Sequence, residues 1–190
     1  MLILASTSRY RAELLRRLRL PFNQEAPGSD ETPLAGEAPS ALAQRLALAK
    51  AQAVAARHPQ AWVIGSDQVC ACGHQLLGKP GNRERAMEQL RQLSGNSAQF
   101  HTALALMHGA SGRVLQAADL TTVRFRELSA ARIEWYVEAE PSFDCAGSFK
   151  SEGLGIALCA AIESSDPTAL VGLPLVLLSG LLLEVGLVLP

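Results

Sequence analysis

The chain has few aromatic residues and almost no net charge. Aromatic side chains make up 5% of its 190 residues, and the formal net charge is −1 at pH 7. Proteins that bind nucleic acids generally carry a basic stripe, often with interleaved aromatic side chains. Proteins that bind anionic membranes carry a basic surface. We therefore expect neither a nucleic-acid partner nor a membrane partner, while a local basic pocket stays compatible with the composition.

Cysteine is also scarce. The chain has four cysteines, Cys70, Cys72, Cys145 and Cys159, and four histidines, and their spacing does not match a zinc site. Reduced, buried thiols are typical of proteins in a reducing compartment. We therefore expect a cytoplasmic protein without structural disulfides.

Long hydrophobic runs are absent. The apolar run 2–5 is too short for a signal peptide, and the apolar stretch 169–183 is shorter than the roughly 20 residues that span a bilayer. Gly172, Pro174 and Gly180 interrupt the second stretch. We interpret it as a buried helix whose first residue is Pro174.

The remaining composition is that of a globular α/β protein. Hydrophobic residues make up 48% of the chain, enough for a sizeable core, and the length favours a single domain over residues 1–190. Strand patterns alternate with helix patterns. The predicted strands are 2–5, 21–25, 61–64, 98–107, 114–125 and 156–162, with a hairpin over 69–77. The predicted helices are 8–18, 40–57, 82–93 and 129–140, followed by the C-terminal helix.

The first eleven residues predict an anion-binding site. The apolar strand 2–5 ends in Ser6, Thr7 and Ser8, and a helix with Arg11 in its first turn follows. A helix N-terminus has unpaired N–H groups and a positive dipole end, and a guanidinium matches phosphate oxygens. The same pattern is explained by Ser8 capping the helix, and the pattern alone favours that simpler interpretation.

Three further segments carry polar residues that the pattern places at strand ends or turns: 29–32, 65–68 and 77–80. Lys50 and Lys150 add positive charge. Carboxylates suit a divalent cation and cations suit phosphate oxygens. Together they predict metal-assisted cleavage of a phosphoanhydride.

Asp67 is the strongest candidate for a catalytic residue in these segments, because it follows an apolar strand directly and lies close to Gly65 in sequence. The alternative is an aspartate that caps a turn through its own backbone. The corresponding alternatives are a solvated acidic loop for Glu31, a solvent-facing helix lysine for Lys50 and an exposed turn lysine for Lys79.

Eight short segments in collinear order resemble the Maf family of nucleotide pyrophosphatases, and the resemblance covers nearly the whole chain. The matching segments are 4–8 with Arg11, 30–33, 48–51, 64–68, 78–80, 93–95, 146–155 and 171–174. Each segment alone is a weak signal, whereas eight in order are highly specific.

The resemblance implies an elongated, mixed-sheet α/β fold with two lobes and a cleft between them, similar to the inosine triphosphate pyrophosphatases. It implies hydrolysis of a nucleoside triphosphate to the monophosphate and diphosphate with Mg²⁺ or Mn²⁺. By the same resemblance the site residues are the catalytic carboxylate Asp67, the phosphate-binding Ser6, Arg11, Lys50 and Lys79, and the metal-binding Glu31 and Asp67.

The segment 145–153 resembles the 7-methyl-GTP pyrophosphatase branch of the family. Three positions are implicated in base choice, and here they are Tyr10, Gln68 and Glu152. Tyr10 can stack on the cationic base and Glu152 can accept its N–H groups, whereas the branch that cleaves dTTP and UTP has glutamine at position 152. Core packing is the alternative for Tyr10. The 7-methyl-GTP branch often has Pro-Trp where this chain has Arg9 and Tyr10, which predicts weaker stacking.

Two alternatives accompany the 7-methyl-GTP prediction. One is dTTP/UTP pyrophosphatase activity. The other, of a different class, is inhibition of septum formation through protein binding, a role linked to the family. The expected partner is a small-molecule nucleotide; a homodimer is compatible with the sequence.

Overall fold

Seven strands and five α-helices form an α/β structure in the computed structural model, which describes residues 1–188. The strands are β1 (Leu2–Ala5), β2 (Asn23–Glu25), β3 (Trp62–Cys72), β4 (Gln75–Leu77), β5 (Ser97–His108), β6 (Arg113–Phe125) and β7 (Cys159–Glu163). The helices are α1 (Arg9–Arg16), α2 (Pro39–Ala55), α3 (Arg83–Leu93), α4 (Ala130–Ala139) and α5 (Leu175–Glu184). Short 3₁₀ turns occupy Ala146–Ser148, Leu154–Leu158 and Ala169–Val171.

The strands are hydrogen-bonded in the order β2-β1-β3-β5-β6-β7, with β4 paired to β3. β1 runs parallel to both β2 and β3, whereas β4 is antiparallel to β3 and β7 is antiparallel to β6. The sheet is therefore mixed, and the predicted α/β class is confirmed.

The chain divides into two compact units. Among the described residues, the first contains residues 1–68, 102–119 and 166–188, and the second contains residues 69–101 and 120–165. Three long strands, β3, β5 and β6, contribute residues to both units.

Side chains along β1 and β3 point alternately to the two faces of the sheet in the first unit. Leu4 is paired with Ile64, and both belong to the apolar core that α1 and α5 complete through residues such as Leu15 and Leu178. Successive side chains in a strand point to opposite faces. Gly65, the next residue, therefore faces α2, where the carbonyl oxygen of Ala47 lies 2.0 Å from the position that a Cβ would take.

The second unit is built around aromatic packing. The ring of Phe149 lies 5.1 Å from that of Phe125 and 6.0 Å from that of Phe100. Gly147 has a φ of +67°, and a Cβ there would lie 3.1 Å from the Sγ of Cys70. Glycine is therefore suited to this turn both by its backbone conformation and by the space available.

The segment 65–68 lies inside β3 rather than in a loop at the end of a strand, so that part of the prediction is wrong. The expected strand end rested on glycine and polar residues after an apolar run. Gly65 is instead needed within the strand, because α2 approaches its backbone too closely for a side chain. The polar residues that follow are then displayed alternately on the two faces.

Two boundaries near the C-terminus also differ from the prediction. β7 begins at Cys159 rather than at residue 156, because residues 154–158 form a 3₁₀ turn. Pro174 is the N-cap of α5 rather than its first residue.

α5 is buried on one face only. Val176 is 60% exposed and Leu183 is 56% exposed, whereas Leu178 and Leu182 are fully buried. The prediction of a buried helix was therefore half right. Across the described chain, no helix combines the length and apolar character needed to cross a bilayer.

Candidate active site

The serine turn between β1 and α1 is built as predicted. Ser8 is the N-cap of α1, and its hydroxyl accepts a hydrogen bond from the backbone N–H of Arg11 at 3.4 Å. Ser6 is buried, and its Oγ accepts from the N–H of Ser8 at 3.1 Å and from Nη1 of Arg11 at 3.4 Å. The helix cap and the arginine site therefore coexist, and the Ser6 hydroxyl keeps its own hydrogen for another acceptor.

Arg11 is anchored by a residue from the far end of the chain. Its Nε donates to the carbonyl oxygen of Gly172 at 2.8 Å, and the buried Ser66 hydroxyl donates to the same oxygen at 3.0 Å. Sequence reasoning did not single out Ser66 or Gly172 as individual site residues. The sequence did indicate them indirectly, since Ser66 and Gly172 lie in the segments 64–68 and 171–174 that match the family pattern.

Lys50 joins the two predicted carboxylates. Its Nζ lies 2.6 Å from Oδ1 of Asp67 and 2.8 Å from Oε1 of Glu31. Lys50 is 5% exposed and Asp67 is 7% exposed, while the Glu31 side chain reaches solvent. The solvent-facing alternative for Lys50 is therefore wrong, and Asp67 pairs with a lysine rather than capping a turn.

This cluster follows from the packing of α2 on β3. Asp67 lies two residues after Gly65 and therefore on the same strand face, which α2 covers. Lys50 lies on α2, three residues after Ala47, which meets that glycine. Close approach of the helix to Gly65 thus brings the ammonium to the carboxylate.

Glu31 is held by a loop that is tied to α2. Arg45 of α2 makes two hydrogen bonds to the carboxylate of Glu37, at 2.6 and 2.7 Å, and a third to the carbonyl oxygen of Thr32 at 3.0 Å. Asp30 accepts hydrogen bonds from the N–H and the hydroxyl of Thr32. Asp30 is therefore a turn residue, and sequence reasoning missed the role of Arg45 and Glu37 in shaping the loop.

The electrostatics connect the arginine with the carboxylates. Burial lowers the pKa of Arg11, whereas the negative charges of Asp67 and Glu31 act in the opposite direction. An arginine retains its charge at any ordinary pH despite such a shift. Arg11 is therefore a permanent cation within range of both carboxylates.

Gln68 and Tyr10 also lie in the first unit. The amide nitrogen of Gln68 faces the hydroxyl of Thr102 at 3.0 Å and the carbonyl oxygens of residues 169 and 170 at 2.9 and 3.0 Å. Tyr10 is half-buried, with the guanidinium of Arg9 4.8 Å from its ring centre. Tyr10 is thus outside the core, which disfavours the core-packing alternative.

Lys79 and Glu152 belong to the second unit. Both are exposed; Lys79 makes no hydrogen bond or ion pair with other residues of the described chain, and Glu152 accepts from the Ser151 hydroxyl at 3.4 Å. The structure thus brings Ser6 together with Arg11, and Glu31 together with Lys50 and Asp67. The catalytic and binding roles of these residues, and of Lys79 and Glu152, stay predictions.

The donor set fits a hard divalent cation. Within residues 1–188, no three His, Cys, Asp or Glu side chains cluster as a metal site. Mg²⁺ commonly uses only one or two protein carboxylates together with substrate phosphates and water, and Mn²⁺ accepts the same ligands. Asp67 and Glu31, held by one ammonium, meet that requirement, and the metal itself stays a prediction.

Comparisons with known proteins show the family of the chain. The family model described as Maf-like protein matches residues 1–185. A 7-methyl-GTP pyrophosphatase of Xanthomonas oryzae is 59% identical over 189 residues, covering 100% of this chain and 98% of the relative. One of Thiobacillus denitrificans is 55% identical over 97% of this chain and 92% of its own.

A solved HAM1 protein from Coxiella burnetii has a similar fold, with a TM-score of 0.56 and 16% identity over 96% of this chain and 98% of that protein. This similarity confirms the predicted inosine-triphosphatase type of α/β fold. Because the family model and the relatives span nearly all of the sequence, the chain belongs to the Maf family.

Proposed function

We propose that this protein hydrolyses 7-methyl-GTP to 7-methyl-GMP and diphosphate. The observation that carries the proposal is the buried Lys50–Asp67 pair, with Glu31 on the same ammonium. Relatives that are 55% and 59% identical carry the name of this activity. The reaction would remove a modified nucleotide before it enters RNA.

The triphosphate is neutralised by cations and hydroxyls of this chain. Arg11 offers a planar fork to phosphate oxygens, and Ser6 offers its remaining hydrogen. Lys50 and Lys79 add point charges. When bound, a divalent cation at Asp67 and Glu31 would neutralise the charge that develops on the phosphate oxygens.

Asp67 takes the proton from the attacking water. Its Oδ1 is held by Lys50, and its Oδ2 accepts no hydrogen bond from the described residues. The carboxylate is therefore oriented with one oxygen available as a general base. The water oxygen bonds to the α-phosphorus, and the bond from that phosphorus to the oxygen bridging the β-phosphorus breaks, so that diphosphate leaves.

Base choice is assigned to Tyr10, Gln68 and Glu152. The 7-methylguanine ring is cationic, and stacking on an aromatic face contributes about 0.5–2 kcal/mol. Glu152 accepts from the N1–H and N2–H groups, and its charge favours the cationic base. Because the amide nitrogen of Gln68 binds residues of its own unit, its oxygen is the atom free for a base.

The test is diphosphate release from 7-methyl-GTP, GTP, dTTP, UTP and CTP, each with Mg²⁺ and with Mn²⁺. We expect the highest kcat/KM for 7-methyl-GTP. Preference for dTTP or UTP would be consistent with a nucleoside triphosphate pyrophosphatase but would overturn the assignment to the 7-methyl-GTP branch of the family. Absence of release from every nucleotide, in protein shown to be folded, would overturn the enzyme and favour a binding function.

Asp67→Asn tests the assigned base. Asparagine keeps the shape of the side chain but cannot take a proton, so kcat should fall by at least about a hundredfold. Nucleotide affinity, measured by calorimetry, should change much less. Near-normal turnover would remove Asp67 from the mechanism.

A further inference from the structure

One carboxylate organises the loop that carries Glu152. Glu140 lies at the C-cap of α4, and its Oε1 binds Nζ of Lys150 at 2.7 Å. Its Oε2 accepts a hydrogen bond from the backbone N–H of Leu154. Glu152 lies midway between these two contacts, so a single side chain holds both ends of the arc 150–154.

The arc and the Glu140 carboxylate are closely packed. A Cβ on Gly153 would lie 2.2 Å from Oε2 of Glu140, and a Cβ on Gly155 would lie 2.3 Å from the carbonyl oxygen of Lys150. Gly155 is therefore required, because a side chain there would meet the backbone of Lys150, and Gly153 lets the Glu140 carboxylate approach the arc closely. The pattern of glycines around position 152 is explained by this close packing.

A second anchor comes from the same helix. The hydroxyl of the fully buried Tyr136 accepts from the N–H of Lys150 at 3.1 Å and is hydrogen-bonded to the Ser142 hydroxyl at 3.0 Å. Ser142 in turn donates to the carbonyl oxygen of Glu140 at 3.1 Å. The start of the arc is thus fixed by its backbone and by its side chain.

The Glu140 carboxylate is ionised at neutral pH. Burial alone would raise its pKa, but the hydrogen bonds from Lys150 and from the N–H of Leu154 outweigh burial and lower it. The charged form is therefore the one that the loop stabilises, and it persists over the pH range of an enzyme assay.

We propose that Glu140 is a positioning residue for base selection, acting through Glu152. The inference rests on the proposed function, since Glu152 is the residue assigned there to the cationic base. An exposed loop carboxylate discriminates between bases only if its backbone is fixed, because a flexible side chain loses entropy on every contact. Glu140 fixes that backbone without meeting the nucleotide.

The test compares kcat/KM for 7-methyl-GTP and for GTP in the wild type, Glu140→Gln, Glu152→Gln and the double variant. Glu140→Gln should lower the preference for 7-methyl-GTP by at least about tenfold, mainly through KM for that nucleotide. The double variant should match Glu152→Gln, because the two residues act as one unit. Hydrogen exchange of the Leu154 amide should become faster in Glu140→Gln.

The matched control is Glu138→Gln, which removes an exposed carboxylate of the same helix that pairs with Arg83. It should retain the wild-type preference. Should Glu140→Gln fail to fold, Lys150→Met, which removes one end of the contact, carries the test.

Retention of the wild-type preference in Glu140→Gln, or effects that add in the double variant, would overturn the inference alone. A wild-type enzyme with no preference for 7-methyl-GTP would instead overturn the proposed function, and with it the role of Glu140 in base selection.

Discussion

Lys50 is the residue on which the cluster of Glu31, Lys50 and Asp67 depends most. A buried ammonium is costly unless it is paired, and its two partners, Asp67 and Glu31, differ in exposure. Asp67 is buried and cannot turn to water if the lysine is lost. Glu31 is 56% exposed and can. The two halves of this cluster should therefore respond differently to substitution.

Lys50→Met should lower the free energy of unfolding by about 3 kcal/mol, because it leaves the buried Asp67 carboxylate without a cation. Hydrolysis should be lost as well. Glu31→Gln, which removes the exposed partner, should change the free energy of unfolding by less than about 1 kcal/mol. Urea denaturation of both variants gives the comparison, and equal losses would contradict the assigned burial.

At the scale of elements, the site depends on α2. The helix packs against Gly65 of β3, presents Lys50 to the site and, through Arg45, holds the loop that carries Glu31. A displacement of this one helix would therefore disturb both the cation and the acidic loop.

Gly65→Ala should lower the free energy of unfolding by about 3 kcal/mol or more, because the new Cβ would lie 2.0 Å from the Ala47 carbonyl oxygen. Turnover should fall with it, since α2 must shift. Gly180→Ala in α5, where no atom lies within 4 Å, is the control and should be neutral or stabilising by up to about 1 kcal/mol. Thermal unfolding of the two variants measures the difference, and similar stabilities would contradict the close approach.

The ion pair between Arg45 of α2 and Glu37 of the preceding loop makes the free energy of unfolding depend on pH. Hydrogen bonds from Arg45 and from the N–H of Leu34 lower the pKa of Glu37 from 4.5 to about 2. A lowered pKa means that the contribution to stability is complete above pH 4.5 and disappears as the pH falls towards 2.

The free energy of unfolding of the wild type should therefore decrease more steeply across this window than that of Glu37→Gln. Urea titrations at pH values on both sides of the window measure the two slopes. Arg45→Met should flatten the slope in the same way, and identical slopes in all three proteins would show that the pair does not stabilise the loop.

At the scale of the whole molecule, the described residues contain no group of three or more His, Cys, Asp or Glu side chains placed to hold a metal ion. Lys50 supplies the positive charge that holds Asp67 and Glu31 together. A chelator should therefore abolish diphosphate release while changing the Tm by less than about 2 °C, because a weakly held cation adds little to folding. Calorimetry with and without the chelator measures this, and a large drop in Tm would mean that the cation is structural.

The local part of the fold was predictable from the sequence. Strand β1, the Ser8 cap and the Ser129 cap of α4 depend on neighbouring residues, so short patterns suffice to locate them. The boundaries of β3 and β7 were not predictable in this way. By local pattern Gly65 marks a strand end, and only the packing of α2 against it shows otherwise. The pattern likewise places residues 156–158 in a strand, whereas the structure has a 3₁₀ turn there, with Glu140 bound to its first residue.

The sequence by itself therefore determined the α/β class, the family and the types of residue available for phosphate chemistry, because order and local pattern are properties of the chain. Only the tertiary structure decided which of these residues meet. Lys50 and Asp67 are 17 residues apart, and Arg11 and Gly172 are 161 residues apart. Contacts at such separations depend on how helices pack on the sheet, and no local pattern encodes that packing.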